Sequence, residues 1–465
     1  RTLAYEVGAR AAAKLENIEA YHRFVEESRA GALLQGLGGR EAVEALTLPE
    51  GLRAALLAAR RAESSAARRA MRTRSLKAHR AVRTARDALR KLIERAQRDA
   101  RRSAELAYPE IATRAAVQAA LADGEVLVQY SLFRHVAAAE VMTREGTRVV
   151  DLGAAAPIES AVAELLADGG KNITAERAAH LRALLAAPLG LPSTVKRVLI
   201  SPAAELAYVP FGLLMPERAV AFVPSGTTLL VLQAARHEKP TRRVLALGNP
   251  SYRGRRGLAQ LPATAAEAQT VGNEVLLGDD ATEARLRATL EQTARWRAVH
   301  FACHGLIDPA KPLFSALAVT AAPGDDGLLT AHEILDLRIE ADAVVLSACE
   351  TARGRTYRAE GVLGLTRAFL YAGTPRVICS LWKVDDEATR ALMTRFYALW
   401  NPKDGNKGIA AIEALKQAQA FVRDFEREAI DREASRKARR TVTKKTRPWK
   451  DPRYWAAWVL WGLPE

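Results

Sequence analysis

Two short apolar runs end in residues that can do chemistry: VHFACHG (299–305), closing on Cys303, His304 and Gly305, and AVVLSACETARG (343–354), with Cys349 at the same kind of transition. A free thiol ionises near pH 8.5, roughly, so an imidazole that accepts its proton raises the reactive thiolate fraction. Gly305 permits close backbone approach, and its N–H with that of Cys349 can form an oxyanion hole. His304 and Cys349 therefore suit nucleophilic attack on a substrate carbonyl. The competing reading is packing, since cysteine is among the most buried residue types, and spacing alone leaves both open. His300 alternates onto the face of His304 but lies mid-strand, where a helix should cover it; it reads as a core histidine, and Ser347 as structural. Cys303, His304, Cys349 and Cys379 invite a metal reading. There is no C-x-x-C pair, however, and neighbours 303 and 304 point to opposite strand faces, so no metal and no cofactor are expected.

Strands must position these residues. RVLALGNP (243–250), AVHFACHG (298–305), SALAVT (315–320), AVVLSACE (343–350) and RVICSLW (376–382) are short β-rich runs, separated by helical patterns at 264–272, 281–292, 360–372 and 386–400. Such alternation predicts a mostly parallel sheet with helices on its faces, where ligands bind beyond the carboxyl ends of the strands. Both His304 and Cys349 fall there. Upstream, EVLVQYSLF (125–133), RVVDLG (148–153), RVLIS (197–201) and AVAFVPS (219–225) predict a second α/β block, and ARHEKPTRR (235–243) reads as a linker. This first block has no cysteine, and its two histidines, His135 and His180, are not at a comparable strand end. It cannot repeat the dyad and is expected to brace the active block and help form the substrate groove. Before Pro109 the chain is alanine-rich and periodic, as in LRKLIERAQRDARRSAEL with Leu89, Leu92, Ile93 and Ala96 on one helical face. The expected organisation is a helical region over 1–107, a non-catalytic α/β domain over 108–236 and a catalytic α/β domain over 237–465. Because the chain opens on Arg1 inside a helical pattern, it reads as part of a longer protein.

A hydrophobic fraction of 49% is ample for globular cores, and no window of eighteen uninterrupted apolar residues predicts a membrane span. Three cysteines in 465 residues do not make a disulfide framework, which points to a reducing compartment such as the cytoplasm. The formal charge of +16 is uneven: residues 51–105 hold 17 Lys and Arg against 5 Asp and Glu, and Arg436 to Lys450 holds no acid. With no aromatic interleaved, 51–105 reads as solvated helix faces rather than a nucleic-acid footprint.

The pair HFACHG and VVLSACETARG, followed by EGVLGLTRAFLYAGTPRVICSLWKVDDEATRALMTRFY and YWAAWVLWG, resembles the CHAT family of caspase-like cysteine peptidases, relatives of separase. The resemblance extends upstream through VLISPAAELAYVPFGLLM, FVPSGTTLL and LPATAAEAQTVGNEV, covering residues 120–463 or so. It implies a caspase-like doubly wound α/β fold, with His304 as general base and Cys349 as nucleophile, 45 positions apart. It also places the Gly305 and Cys349 amides in the oxyanion hole. A protein substrate is implied, with control by a regulatory protein or ligand acting through the N-terminal helical region. There, YHRFVEESRAGALLQGLG (21–38) resembles the helix that in this family often leaves a tetratricopeptide array.

In separase-like relatives an acid in an LW-x-V-x-D segment reads an arginine at the cleavage point, which makes Asp385 and Asp386 of LWKVDD candidate substrate-binding residues. DDEA also opens the predicted helix 386–400, where aspartate is a favoured cap and suits the helix dipole. Arg353, Arg355 and Arg358, just after the nucleophile, make that loop a candidate for self-cleavage, as does the basic run 436–450. Two other functions compete: a protein-interaction scaffold that kept the fold, and nucleic-acid binding through 51–105. Intact His304, Gly305 and Cys349 argue against a scaffold.

Overall fold

The structure is a computed structural model that describes residues 2–37, 111–167, 173–234, 239–253, 257–293, 295–308, 314–335, 337, 339–347, 361–402, 406–430 and 443–465, with scattered positions between 55 and 88. Residues 1–30 with 112–465 form one compact unit, and residues 31–111 form another.

The first unit is built on one large sheet. Its strands are β1 (Glu125–Leu132), β2 (Ala137–Met142), β3 (Thr147–Gly153), β4 (Arg197–Ser201), β5 (Ala219–Phe222), β6 (Val244–Pro250), β7 (Glu274–Gly278) and β8 (Trp296–Ala302). The chain continues through β9 (His304–Leu306), β10 (Ala316–Ala318), β11 (Leu328–Thr330), β12 (Ala341–Leu346), β13 (Arg376–Ser380), β14 (Arg427–Ile430), β15 (Thr443–Thr446) and β16 (Trp458–Gly462). Eleven of them form the sheet in the order β3-β2-β1-β4-β5-β16-β13-β12-β8-β6-β7. Nearly every residue of β8, β12 and β13 is buried, as expected of strands covered on both faces, and their sequences read as continuous apolar runs. The expected fold class, a mostly parallel α/β sheet with helices on its faces, is what the structure has.

Direction within the sheet matters for the site. Strands β1, β4, β5 and β16 run parallel to one another, as do β7, β6, β8, β12 and β13, but β16 is antiparallel to β13. The carboxyl ends of the two parallel sets therefore open on opposite edges. Strand β16 joins the two sets, pairing with β5 on one side and with β13 on the other. Trp461 of β16 sits opposite Phe222 of β5, the two rings stacked at 4.9 Å.

AVHFACHG, expected as one strand, is broken at Cys303. β8 ends at Ala302, and His304 opens β9, which leaves the main sheet to pair with β10 in a small sheet ordered β11-β10-β9. SALAVT accordingly supplies β10 rather than a strand of the main sheet.

Helices cover both faces. Those used below are α1 (Thr2–Lys14), α2 (Ile18–Leu37), α3 (Gly226–Ala234), α4 (Pro262–Val271), α5 (Gly361–Tyr371), α6 (Asp386–Trp400) and α7 (Ala411–Asp424). Tyr21 and Val25 of α2 pack with Ala9 and Ala12 of α1 against Phe133 and Ala138. Buried polar groups fix this contact: His22 Nδ1 lies 3.1 Å from both carboxylate oxygens of Glu140, and Glu26 accepts from the N–H groups of Gly226 and Thr227, at the positive end of α3. Among the described residues no helix is long and apolar enough to cross a membrane.

Candidate active site

His304 is held from three sides. Its position in β9, opposite Ala318 of β10, ties its backbone to the small sheet. Its N–H donates to the Tyr252 hydroxyl at 3.3 Å, and that hydroxyl donates to the Ala318 carbonyl at 3.1 Å. The third contact is to the ring, whose Nε2 lies 2.8 Å from the Ala259 carbonyl oxygen. A carbonyl only accepts, so Nε2 carries the proton and Nδ1 is left with the lone pair that a general base needs. Among the described residues Nδ1 has no hydrogen-bond partner, and His304 as a whole is 8% exposed, so little of the ring meets solvent.

Cys349, the expected nucleophile, lies outside the described residues, as does the candidate self-cleavage loop with Arg353, Arg355 and Arg358. β12 is the parallel neighbour of β8, with Leu346 paired to Phe301. β12 ends at Leu346, three positions before Cys349 in the sequence, and β8 ends at Ala302, before the break from which His304 opens β9. Gly305, buried, is opposite Leu317 in the β9·β10 ribbon.

The other two cysteines are of a different kind. Cys303 and Cys379 are free and buried, and burial pushes each thiol up to about 12. Each is a core residue at neutral pH, protonated and inert. His300 is fully buried in β8, with Nε2 3.1 Å from Glu267 of α4 and Nδ1 3.4 Å from the Tyr397 hydroxyl of α6. Helices cover it on that face, as a core histidine requires. Gly248 lets α4 lie this close: a Cβ there would stand 2.5 Å from the Thr264 carbonyl oxygen. Replacing His300 by alanine is expected to cost about 3 kcal/mol by leaving the buried Glu267 carboxyl without its partner. Urea titration should show that loss, while the reactivity of Cys349 per folded molecule stays unchanged.

The two aspartates divide. Asp385 is the N-cap of α6, one carboxylate oxygen accepting from the N–H groups of Glu387 at 3.1 Å and Ala388 at 3.0 Å. Asp386 opens the first turn on the exposed side, and its carboxyl is raised above the ordinary aspartate range by partial burial, with Asp385 and Glu267 adding and Lys383 opposing. α6 follows β13, the neighbour of β12, so both acids come after the same sheet edge as His304.

The residues sequence reasoning missed are those that hold the imidazole. Ala259 acts through a backbone carbonyl, which has no side-chain signature. Tyr252 lies in a loop whose only signal was the turn-forming Asn249-Pro250 pair.

In open, mostly parallel α/β sheets ligands bind beyond the carboxyl ends of the strands, and His304 stands just beyond such an end. Residues 175–463 match the model of the CHAT domain, and the chain belongs to the CHAT-domain family. It is 28% identical over 281 residues to tetratricopeptide repeat protein 28 of Mus musculus, covering 46% of this chain and 11% of that one. The same protein of Homo sapiens is 38% identical over 99 residues, 21% of this chain and 4% of the relative. The chain thus spans a small part of the length of these relatives. Among solved structures it is similar to the Saccharomyces cerevisiae separase–securin complex, at 15% identity and a TM-score of 0.38 over 58% of this chain and 15% of that chain. It is also similar to the Arg-specific cysteine proteinase gingipain R, at 10% identity and a TM-score of 0.35 over 66% of this chain and 74% of that chain.

Proposed function

We propose that this chain is a cysteine endopeptidase acting through Cys349 and His304. The observation that carries the reading is the 2.8 Å contact of His304 Nε2 with the Ala259 carbonyl, which in a neutral ring favours the Nε2–H tautomer and leaves Nδ1 for the base, just beyond the carboxyl end of β8, the parallel neighbour of β12. In this mechanism Nδ1 takes the thiol proton and the thiolate sulfur attacks the peptide carbonyl carbon. The oxyanion is received by the Gly305 and Cys349 amides. The imidazolium then protonates the leaving amine as the C–N bond breaks; water, giving a proton to Nδ1, attacks the thioester carbonyl, and that second proton passes to the sulfur as the C–S bond breaks and the acid is released. A protein substrate, a regulatory protein or ligand acting through the N-terminal helical region, and the assignment of catalysis to 237–465 with 108–236 as its brace belong to the same proposal. So does a reducing, cytoplasmic setting, which suits the free thiols of Cys303 and Cys379.

Asp386 is the better candidate for reading a basic residue at the cleavage point, because Asp385 is engaged in capping α6. Labelling by peptide acyloxymethylketones with arginine, leucine or aspartate at P1 tests both claims. The arginine probe should label best, and Asp386→Asn should reduce that preference about tenfold while sparing the leucine probe. Labelling by no probe even with the regulatory protein or ligand present would favour the scaffold reading, whereas labelling that appears only then marks an enzyme awaiting its activator.

The raised Asp386 carboxyl also sets a pH dependence. Its folded-state pKa lies above the unfolded value, so arginine preference should fade as pH drops through that raised value, above the usual aspartate range. The linked stability runs the other way: protonation of Asp386 favours the folded state below the unfolded pKa, and that contribution is lost as pH rises through the folded one. Asp386→Asn is accordingly expected to leave the neutral-pH melting temperature unchanged or slightly higher.

A further inference from the structure

We propose that Asn249 and Tyr252 are positioning residues for His304, setting its tautomer through the loop between β6 and α4. The inference rests on His304 being the base and names what makes it one. The loop leaves β6 at Asn249, whose φ of 43° lies in the left-handed region that only asparagine, aspartate and glycine visit readily. From that conformation Asn249 Oδ1 accepts the N–H of Leu261 at 3.0 Å, and its own N–H donates to Thr264 Oγ1 at 2.9 Å. One side chain thereby ties the end of the loop to its start. Gln260, with its amide turned so that both ends are satisfied, accepts from the Tyr252 N–H at 2.8 Å and donates to the Pro250 carbonyl at 3.0 Å. Ala259, the residue whose carbonyl engages His304, immediately precedes these two fixed positions.

Tyr252 closes the arrangement from the other side. It is buried, its ring centroid 5.1 Å from the imidazole, and its hydroxyl accepts from the His304 N–H while donating to Ala318. Backbone and ring of His304 are therefore held by two parts of one loop, and the left-handed residue at its root is where the constraint is applied. Residual backbone strain beside a candidate base is expected where the surroundings over-determine a geometry that chemistry uses. Glycine at 249 would adopt the same φ with less strain but lacks the Oδ1 that fixes Leu261, so it separates positioning from folding.

The test uses the full chain with Asn249→Gly and Tyr252→Phe, read in two ways. Nitrogen-15 NMR of the His304 ring, assigned with His304→Ala, reports the tautomer without any need for activity. The neutral wild-type ring should be protonated at Nε2, and both variants should shift toward a mixture of Nε2–H and Nδ1–H forms. The second readout is modification of Cys349 by a peptide ketone, which should slow by about tenfold or more in both variants. For Asn249→Gly the melting temperature should stay within about 2 °C of wild type. An unchanged tautomer in both variants overturns the proposal, as does a slower reaction explained wholly by a fall in melting temperature. A shifted tautomer with Cys349 reactivity indifferent to His304 in every form would instead uphold the positioning and reject the peptidase reading.

Discussion

Replacing Cys349 by alanine is expected to abolish covalent labelling and peptide cleavage, and replacing His304 by alanine to slow both by roughly 10²–10⁴-fold. The two losses differ because the residues do different things. Without sulfur there is no nucleophile to carry the acyl group. Without the imidazole the thiol retains its small thiolate fraction at neutral pH and the oxyanion donors remain, so some reaction persists and rises as pH approaches the thiol pKa. The double variant should be no worse than Cys349→Ala alone, because residues that act as one unit are not additive. His300→Ala separates the roles of the two strand histidines: it removes a buried partner of Glu267 and Tyr397 and touches none of this chemistry.

The second large effect is structural. Trp461→Ala is expected to lower stability by about 3–5 kcal/mol, the usual range for truncating a buried tryptophan. Trp461 is 3% exposed and stacks on Phe222 at 4.9 Å, where β16 meets β5. On its other side β16 pairs with β13 from Arg376↔Gly462 to Ser380↔Trp458. One five-residue strand thus joins the two parallel sets. Its loss should reduce the cooperativity of unfolding, so a denaturant titration by tryptophan fluorescence should become broader or split into two transitions. Phe222→Ala combined with Trp461→Ala should cost less than the sum of the two, the difference of about 1 kcal/mol measuring the ring contact.

Much of this architecture can be read from apolar runs bounded by turn residues. β1, β4, β6, β12 and β13 lie within a few residues of the predicted runs, and α6 coincides with the predicted 386–400. The runs are legible because strands buried on both faces are apolar throughout. β2 was not legible: AAAEVM is poor in branched and aromatic residues, and its Glu140 is buried only because His22, more than a hundred residues away, and Gln129 meet it. β16 was visible only as part of a family motif, since nothing local shows that WVLWG joins two sets of strands. α7 had a signal that could have been used, with Ala411, Ile412, Leu415, Ala418 and Val422 recurring at helical spacing. At the site, the residue types of His304 and its neighbours were readable, and so was the ambiguity of Asp385 between cap and substrate contact. The oriented tautomer was not, because it depends on a backbone carbonyl brought in by a loop from another strand.

The most direct test of the account is the rate of alkylation at each of the three cysteines, followed against pH in the native protein by peptide mass mapping. Cys349 should be modified first, with an apparent pKa below the ordinary thiol value of about 8.5. That advantage should disappear in His304→Ala. Cys303 and Cys379, buried and with thiols pushed up to about 12, should stay unmodified until the protein unfolds. If Cys349 instead reacts with the same rate and pH profile in wild type and His304→Ala, the dyad at the centre of this account does not exist.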